Sequence, residues 1–309
     1  MRRKPALIAA LSLCCLLTAF SAFVPFAAAQ VSPIQQLVAM EEVLFGAAQE
    51  GAVVNRLEIV ERFVFGSPGT GTLPERMTKC WNYVQGDRAG EMNLKFKLKA
   101  VQWAVFGSIV DGPIVPALVE AEKRILGAEG AGSIGDRIDL LLSMTVPGGQ
   151  PRVDYALLPK GVLVKFNLET AISSAKSRPG DPVRLVVSDD VIVDGMLVIP
   201  KGTVLTGRVL DNVRPTRMGV RARVDVEVEP IEGMDSTPVT LGVDTASITA
   251  NTDVTLAAGE SVRRFAAIGK EGGLFNPNPE LEVAAGTEVF LTVMQSAKVL
   301  GLATAASAK

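Results

Sequence analysis

The residue types best suited to chemistry in this sequence are a serine and a lysine three positions apart. Ser173-Ser174-Ala175-Lys176 has the Ser-x-x-Lys spacing of serine acyl enzymes, in which the lysine serves as the base. The companion motifs of those enzymes, Ser-Asp-Asn and Lys-Thr-Gly, are absent from the sequence. The tetrapeptide also lies between predicted strands, not on a helix that would place both groups on one face. A serine hydrolase using Ser173 and Lys176 is therefore only a second alternative.

The amino-acid composition excludes most other kinds of catalytic site. None of the 309 residues is a histidine, which excludes Ser-His and Cys-His catalysis and histidine metal sites. Cys80 lies on an apolar stripe, which predicts a buried hydrophobic residue. Asp189, Asp190 and Asp194 lack the spacing of an EF-hand calcium loop, and Asp194 is better explained by a turn. We predict no catalytic, cofactor-binding or metal-binding residues, no cofactor, and a protein that is not an enzyme.

The charge balance argues against a nucleic-acid partner. The chain has 31 Lys and Arg against 33 Asp and Glu, and aromatic residues make up only 5% of it. The densest basic stretch could contact an acidic wall polymer or lipid headgroups. Because Arg221 and Arg223 alternate with valines, a solvated strand face explains them equally well. The stretch consists of Arg208, Arg214, Arg217, Arg221 and Arg223.

The first 29 residues have the order of a signal peptide. Arg2, Arg3 and Lys4 precede the uncharged apolar run Ala6–Phe20, and Ala27-Ala28-Ala29 supplies the small residues of a cleavage site. Cleavage after Ala29 would make the protein an exported one, periplasmic or associated with the cell envelope. The alternative is an uncleaved anchor, because residues 5–29 are long enough to span a bilayer and would give membrane association.

Residues 30–150 contain an internal repeat of short helices. An offset of 61 places Phe45-Gly46 on Phe106-Gly107, Glu61 on Glu122 and Arg76 on Arg137, and an offset of 20 relates units within each half. Gly86 and Gly90 mark a degraded copy. This agreement predicts stacked helical units, which form either a docking or self-assembly surface or a compact domain whose apolar stripes bury one another.

Glycines and capping residues predict where these helices begin and end. A helix over 52–65 should place Val53, Leu57, Val60 and Val64 on one face and end at Gly66. The next helix should open at a capping box formed by Thr72 and Glu75, and the last at Ser133 and Asp136. Trp81, Trp103 and the Phe-Gly pairs are expected to be core and cap residues.

Residues 151–309 change to the alternation of β-strands. Val162, Val164, Phe166 and Leu168 should face the core, as should alternate residues over 220–228. Asp194-Gly195 predicts a hairpin over 191–199. Three corners of related sequence, 158–161, 199–203 and 283–287, should each launch a strand. We expect a loop excursion over 245–279 and a closing strand over 288–293.

The sequence therefore predicts an α+β protein with three parts. A signal peptide covers 1–29, a helical repeat domain 30–150, and an antiparallel β-barrel- or sandwich-like domain 151–309.

The run from Leu158 to Val209 resembles the β domain of TrbI-like conjugal-transfer proteins. The shared features are the Pro-x-Gly strand start at Pro159, the Ile-Ser-Ser segment at Ile172, and the Ile-Pro-x-Gly strand at Ile199 that enters Gly-x-Val. The strand after Ala285-Gly286-Thr287 is similar to that family's closing strand. The resemblance implies a subunit of an envelope-spanning secretion channel. The layout of the whole chain resembles that of uncharacterised secreted envelope proteins of diderm Firmicutes, which implies no activity.

Two functional hypotheses lead. The first is a non-enzymatic envelope protein that acts as a structural or interaction module, with protein partners or self-association. The alternative is a subunit of a TrbI-like envelope-spanning transport complex.

Overall fold

The computed structural model of the chain describes residues 32–85, 92–216, 219–243, 255–258, 264–269 and 279–304. The predicted signal peptide, the degraded repeat at Gly86 and Gly90, and Arg217 lie outside these residues. From Pro33 onwards the chain forms one compact unit.

Six helices of nearly equal length lie in the described residues of the N-terminal part. Their first residues follow one another at intervals of 20 residues, except for an interval of 21 between the third and the fourth. The helices are α1 Pro33–Phe45, α2 Val53–Phe65, α3 Leu73–Gln85, α4 Leu94–Phe106, α5 Ile114–Leu126 and α6 Ile134–Thr145.

The helix boundaries follow the predicted capping residues. Gly66 ends α2 in the left-handed conformation, with φ +81°, and its N–H donates to the carbonyl of Arg62. The Ser133 hydroxyl accepts a hydrogen bond from the Asp136 N–H at the start of α6. At the start of α3 the Thr72 N–H and hydroxyl both donate to the Glu75 carboxylate. The predicted boundaries of these helices are therefore confirmed.

The helices bury one another's apolar stripes. Leu57, Val60 and Val64 of α2 are almost completely inaccessible to solvent, as the helical spacing predicts. The contacts between helices follow the offset of 61. Helix α1 packs on α2 and α3, and in the same way α4 packs on α5 and α6. The two triplets of helices share one core.

The described residues of the C-terminal part contain sixteen strands, and every pair that these strands form is antiparallel. The strands are β1 Val153–Leu158, β2 Leu163–Leu168, β3 Ile172–Ser173, β4 Pro182–Val187, β5 Val191–Val193, β6 Met196–Ile199, β7 Val204–Val213, β8 Arg223–Val228, β9 Ile231–Glu232, β10 Pro238–Val239, β11 Leu241–Gly242, β12 Thr255–Ala258, β13 Arg264–Ile268, β14 Glu282–Val283, β15 Glu288–Val293 and β16 Ala297–Ala303.

The strands form two larger sheets that curl as half-barrels around a common core. One has the order β11-β15-β2-β4-β7-β8-β13-β12 and the other the order β1-β16-β6-β5. Two short ribbons, β9 with β10 and β3 with β14, complete the β part. Helices followed by antiparallel sheets confirm the predicted α+β class.

The predicted turns are present. Asp194 and Gly195 both have positive φ, 51° and 78°, and join β5 to β6 in the hairpin predicted over 191–199. The three related corners place Gly161, Gly202 and Gly286 at φ between 85° and 92° and lead into β2, β7 and β15. These are positions where glycine avoids the strain of a side chain.

Three expectations for the β part are wrong. The predicted loop excursion over 245–279 contains β12 and β13, which extend the larger sheet from β8. Alanines at 257, 258, 266 and 267 give this hairpin a weak apolar alternation, so pairing with β8 decides its structure. The strand predicted over 288–293 is present as β15, but its predicted closing position is wrong, because β16 follows it and pairs with β1 and β6. Val220 is exposed, and its strand begins only at Arg223.

The helical and β parts meet through a shared apolar core. Helix α6 ends at Thr145 and β1 begins at Val153. Four buried β-part residues pack into the core of the helices: Leu197, Met234, Leu300 and Leu302. Among the described residues, no helix has the length and apolarity needed to cross a membrane.

Candidate functional site: the helix–sheet junction

The repeat carries a buried ion pair that recurs three times with one geometry. The pairs are Glu41–Arg56, Glu61–Arg76 and Glu122–Arg137. In each pair, Arg Nε donates to one carboxylate oxygen at 2.7–2.9 Å and a terminal guanidinium nitrogen donates to the other at 2.5–2.6 Å. Each pair spans 15 residues and joins one helix to the next. This two-point geometry fixes the angle between the two side chains as well as their separation.

The connecting loop adds a third hydrogen bond to each carboxylate. The N–H of Gln49 donates to Glu41, that of Gly69 to Glu61 and that of Gly130 to Glu122, always eight residues after the glutamate. Helix, loop and following helix are therefore joined at one buried point, which we call the Glu–Arg clamp.

Two of the clamp carboxylates, Glu61 and Glu122, have lowered pKa values. Hydrogen bonding from Arg76 lowers the pKa of Glu61, and burial opposes this effect without cancelling it. Burial is the largest influence on Glu122, but the hydrogen bonds from Arg137 and Gly130 outweigh it, so its pKa is also lowered. Because the counter-ion and the backbone N–H replace water, Glu61 and Glu122 stay charged where little solvent reaches.

The repeat loses its clamp between α4 and α5. The equivalents of Glu41 and Arg56, at the offset of 61, are Gln102 and Ala117. Gln102 is buried, and its side-chain amide donates to the carbonyl of Val110, again eight residues further on. The amide thus binds the loop without the ion pair.

Helix α4 also carries the contacts to the β part. Lys95, Lys99 and Trp103 follow one another at intervals of four and so share one face of α4. The Lys95 ammonium pairs with Glu232, the Lys99 ammonium donates to the carbonyl of Gly233 at 2.9 Å, and Trp103 Nε1 donates to Asp190 Oδ2 at 2.9 Å. We call this set of contacts, with the loop contact described next, the helix–sheet junction.

The α4–α5 loop completes the junction. The N–H of Ile109 donates to the carbonyl of Lys201 in the corner before β7, at 2.8 Å. A Cβ atom at Gly202 would lie 2.0 Å from the carbonyl oxygen of Ile109, so the corner can approach the loop only because residue 202 is glycine. The second oxygen of Asp190 accepts the N–H of Lys201 and fixes the same corner.

A charged cleft of about 250 Å³ lies beside these contacts. Helix α4 and the α4–α5 loop form one wall, and strands β4, β7 and β9 form the other. Six ionisable side chains line it: Lys95, Lys99, Asp111, Arg184, Glu229 and Glu232.

Lys99 is the most deeply buried charged group of this cleft. Its side chain is 6% exposed, and burial lowers the pKa of its ammonium to about 8. The neighbouring Lys95 lowers this pKa further, whereas Glu232, Asp111 and Asp235 raise it.

The structure does not bring Ser173 and Lys176 together as a catalytic pair. The Ser173 hydroxyl accepts the N–H of Ala175, and Ser173 is nearly buried. The Lys176 side chain is exposed and its Nζ lies 3.9 Å from the carboxylate of Glu282. The Lys176 N–H donates to the backbone carbonyl of Ser173, but among the described residues no hydrogen bond joins the Ser173 hydroxyl to the Lys176 ammonium.

The other residues singled out in the sequence have structural partners. Asp190 belongs to the helix–sheet junction, Asp194 forms the β5–β6 turn, and Asp189 faces Lys165. The described residues contain no cluster of three acidic, cysteine or histidine side chains able to hold a metal ion. Cys80 is buried, as predicted.

The basic stretch forms strand-face ion pairs. Arg208 pairs with Glu227 across β7 and β8, Arg223 pairs with Asp225, and Arg214 donates to the carbonyl of Ala175. Arg208 and Arg223 keep about half or more of their side chains in solvent. This agrees with a solvated strand face.

Sequence reasoning missed both the clamp and the junction. The offsets aligned Glu61 with Glu122 and Arg76 with Arg137, but they did not show that these residues pair across 15 residues. One signal for the junction was available in the sequence. Helix α4 and the helix after it depart from the repeat at Gln102, Ala117 and the lysines of α4. A helix that contacts a different element is expected to differ in sequence from the equivalent helices of the repeat.

No model of a known protein family matches this chain, and no curated protein matches it significantly.

Proposed function

We propose that this protein is an exported, non-enzymatic protein of the cell envelope that acts as a rigid structural or protein-interaction module. The observation that carries the proposal is the Glu–Arg clamp, repeated three times at the links between helices. A buried bidentate pair contributes little net stability but penalises any other arrangement of the helices, because an unpaired buried charge is costly. Such clamps suit a protein whose task is to present a fixed surface.

Exposed apolar side chains on two helices support an interaction role. Ile59 and Phe63 of α2 and Leu140 and Met144 of α6 occupy equivalent positions of their helices, and each is at least 39% exposed. The α3 equivalents of the first two are Lys79 and Tyr83, so the repeat itself does not require apolar residues there. Apolar side chains in solvent at such positions favour a protein partner.

Crosslinking in intact cells tests the interaction role. We expect the full chain to crosslink reproducibly to one envelope component or to itself, and Phe63→Ser with Met144→Ser to reduce the yield several-fold. Leu157→Ser, which changes an exposed apolar residue of β1, is the matched control and should leave the yield unchanged. A yield that is equal in all three proteins would argue against docking through α2 and α6.

Fractionation tests the location. We expect the protein in the envelope or periplasmic fraction with Gln30 as its N-terminal residue by mass spectrometry. A cytoplasmic protein that retains residues 1–29 would refute export.

The assembly state distinguishes this proposal from the TrbI-like alternative. A channel subunit must form rings, so a strictly monomeric protein in sizing and crosslinking would exclude that alternative. Ring-sized assemblies from the envelope would favour it over an isolated scaffold.

A further inference from the structure

We propose that the charged cleft of the helix–sheet junction binds a small zwitterion of the amino-acid type, with its carboxylate at Lys95 and Lys99 and its ammonium at Asp111 and Glu229. The scaffold role does not require such a ligand, so the two proposals stand or fall separately.

The first argument is the incomplete hydrogen bonding of Lys99. An ammonium group has three N–H donors, and among the described residues the buried Lys99 Nζ has a single hydrogen bond, to the carbonyl of Gly233. Its next acceptor, the Glu232 carboxylate, lies 3.9 Å away, beyond hydrogen-bond distance. A buried ammonium with donors left over requires an acceptor, and the cleft beside it is the available space.

The second argument is the arrangement of charge around Lys99. Within 4 Å, Lys95 and Lys99 share a single carboxylate of the described chain, that of Glu232. Asp111 and Asp235 also act on Lys99, but neither carboxylate lies within ion-pair distance of it. A ligand carboxylate would supply a second anion at close range and accept the remaining Lys99 donors.

The third argument is the presence of two exposed carboxylates in the same cleft. Asp111 and Glu229 line the same cleft and are both exposed at its rim. The Thr206 hydroxyl donates to Glu229, and within the described part of the chain neither carboxylate forms an ion pair. These two carboxylates attract a ligand that carries a cationic group and repel a purely anionic ligand. Together with the two lysines, they favour a zwitterionic ligand.

Size limits the ligand further. The cleft of about 250 Å³ is below the roughly 300–1,000 Å³ typical of sites for larger organic molecules. The wall beside the charges contains Thr203 and Thr206, and no aromatic side chain lines the cleft, so neither a nucleobase nor a sugar would find a stacking surface. A free amino acid or a dipeptide fits both the volume and the charge pattern.

Ligand-observed NMR on the purified full chain tests the proposal. The probes are glycine, γ-aminobutyrate, L-glutamate and L-alanyl-glycine, with acetate and methylammonium as controls that carry only one of the two charges. We expect at least one zwitterionic probe to bind about tenfold or more tightly than acetate or methylammonium, because a charge-assisted hydrogen bond is lost with each missing group.

Matched variants locate the binding. Asp111→Asn and Glu229→Gln change exposed rim residues and leave the fold intact; each should weaken the best probe about tenfold. Lys99→Met should abolish binding. Lys97→Met, on the same helix, and Glu227→Gln, on the strand that precedes Glu229, lie outside the cleft and should change binding less than twofold. The bound probe should also protect Lys95, whose side chain is 20% exposed, from amine acetylation, as measured by mass spectrometry.

Three results would overturn the proposal. They are the absence of binding by every zwitterionic probe, acetate binding as tight as the best zwitterion, and unchanged affinity in both rim variants. If Lys99→Met does not fold, the rim variants and the protection of Lys95 still decide the question.

Discussion

The side chain of Lys99 is almost completely buried. The resulting pKa shift makes the free energy of unfolding depend on pH, which can be measured. Burial lowers the pKa of its ammonium from 10.5 to about 8 in the folded protein. Below pH 8 both the folded and the unfolded states carry the proton. Between pH 8 and 10.5 the unfolded state binds more protons, so a rising pH favours the folded state.

We therefore predict that the free energy of unfolding of the wild type rises relative to that of Lys99→Met between pH 8 and 10.5. The gain should approach about 3 kcal/mol, since one pKa unit corresponds to ~1.4 kcal/mol. Urea titrations across this pH range measure it. Lys97→Met is the control and should follow the wild type, and parallel curves for wild type and Lys99→Met would contradict the prediction.

Cys80 provides a second prediction at the residue scale. Burial raises the pKa of its thiol to about 12, so very little thiolate exists at pH 8. In a chain with Cys14→Ser and Cys15→Ser, we expect a disulfide reagent such as Ellman's reagent to label Cys80 only after unfolding. Labelling in native buffer at the rate of a free thiol would show that the helical core opens readily.

At the scale of elements, the Glu–Arg clamp fixes each helix relative to the next. Arg137→Ala should lower the free energy of unfolding by about 3–5 kcal/mol, because it leaves the buried Glu122 carboxylate without its counter-ion. The double variant Glu122→Gln with Arg137→Ala copies the residues that the chain itself uses at Gln102 and Ala117. It should cost less than the single variant, as measured by urea unfolding.

The exposed pair Arg208–Glu227 is the control for this cycle. Arg208→Ala should change the free energy of unfolding by less than about 1 kcal/mol, because solvent screens the pair. A double variant at the clamp that costs the sum of both single changes would mean that the two side chains act independently.

The corner at Gly202 tests the contact between loop and strand. Gly202 and Gly161 stand in related corners with φ of 91° and 92°, so an alanine is strained equally at both, by about 1–2 kcal/mol. Only at Gly202 would the new Cβ meet a backbone atom, the carbonyl oxygen of Ile109. Gly202→Ala should therefore destabilise the protein by at least about 1 kcal/mol more than Gly161→Ala in thermal or urea unfolding. Equal losses would exclude the loop–corner contact.

At the scale of the whole molecule, the helical and β parts share buried surface. Leu197, Met234, Leu300 and Leu302 belong to strands and loops of the β part but pack among the helices. We predict that residues 33–304 unfold in one cooperative transition. Circular dichroism and the fluorescence of Trp103, which contacts Asp190 across the junction, should give the same midpoint.

Two separated transitions would contradict this prediction. Asp190→Asn should lower the single midpoint, whereas Asp154→Asn, on the edge strand β1, should leave it unchanged. For the same reason, partner searches should use the whole chain, because either half alone would expose these apolar residues.

The sequence by itself determined the local features of this protein. The spacing of Leu57, Val60 and Val64 determined the buried face of α2, and Gly66 determined its end. Ser133 determined the start of α6, and Asp194-Gly195 determined a hairpin. Helix capping, turn geometry and apolar periodicity act between residues close in the chain, so they can be read without knowing the fold. The repeat offsets also followed from the sequence, since each copy meets the same local demands.

Only the tertiary structure decided which distant groups meet. The pairing of Glu122 with Arg137, the burial of Lys99 against Gly233, and the addition of the alanine-rich β13 to the sheet depend on how elements pack. The neighbouring sequence of a charged residue is similar whether the residue lies on a solvated face or in a buried clamp. The two cases differ in the distant partner that replaces the water around the charge. That partner is fixed by packing, which is why the helix–sheet junction and its cleft were absent from the sequence prediction.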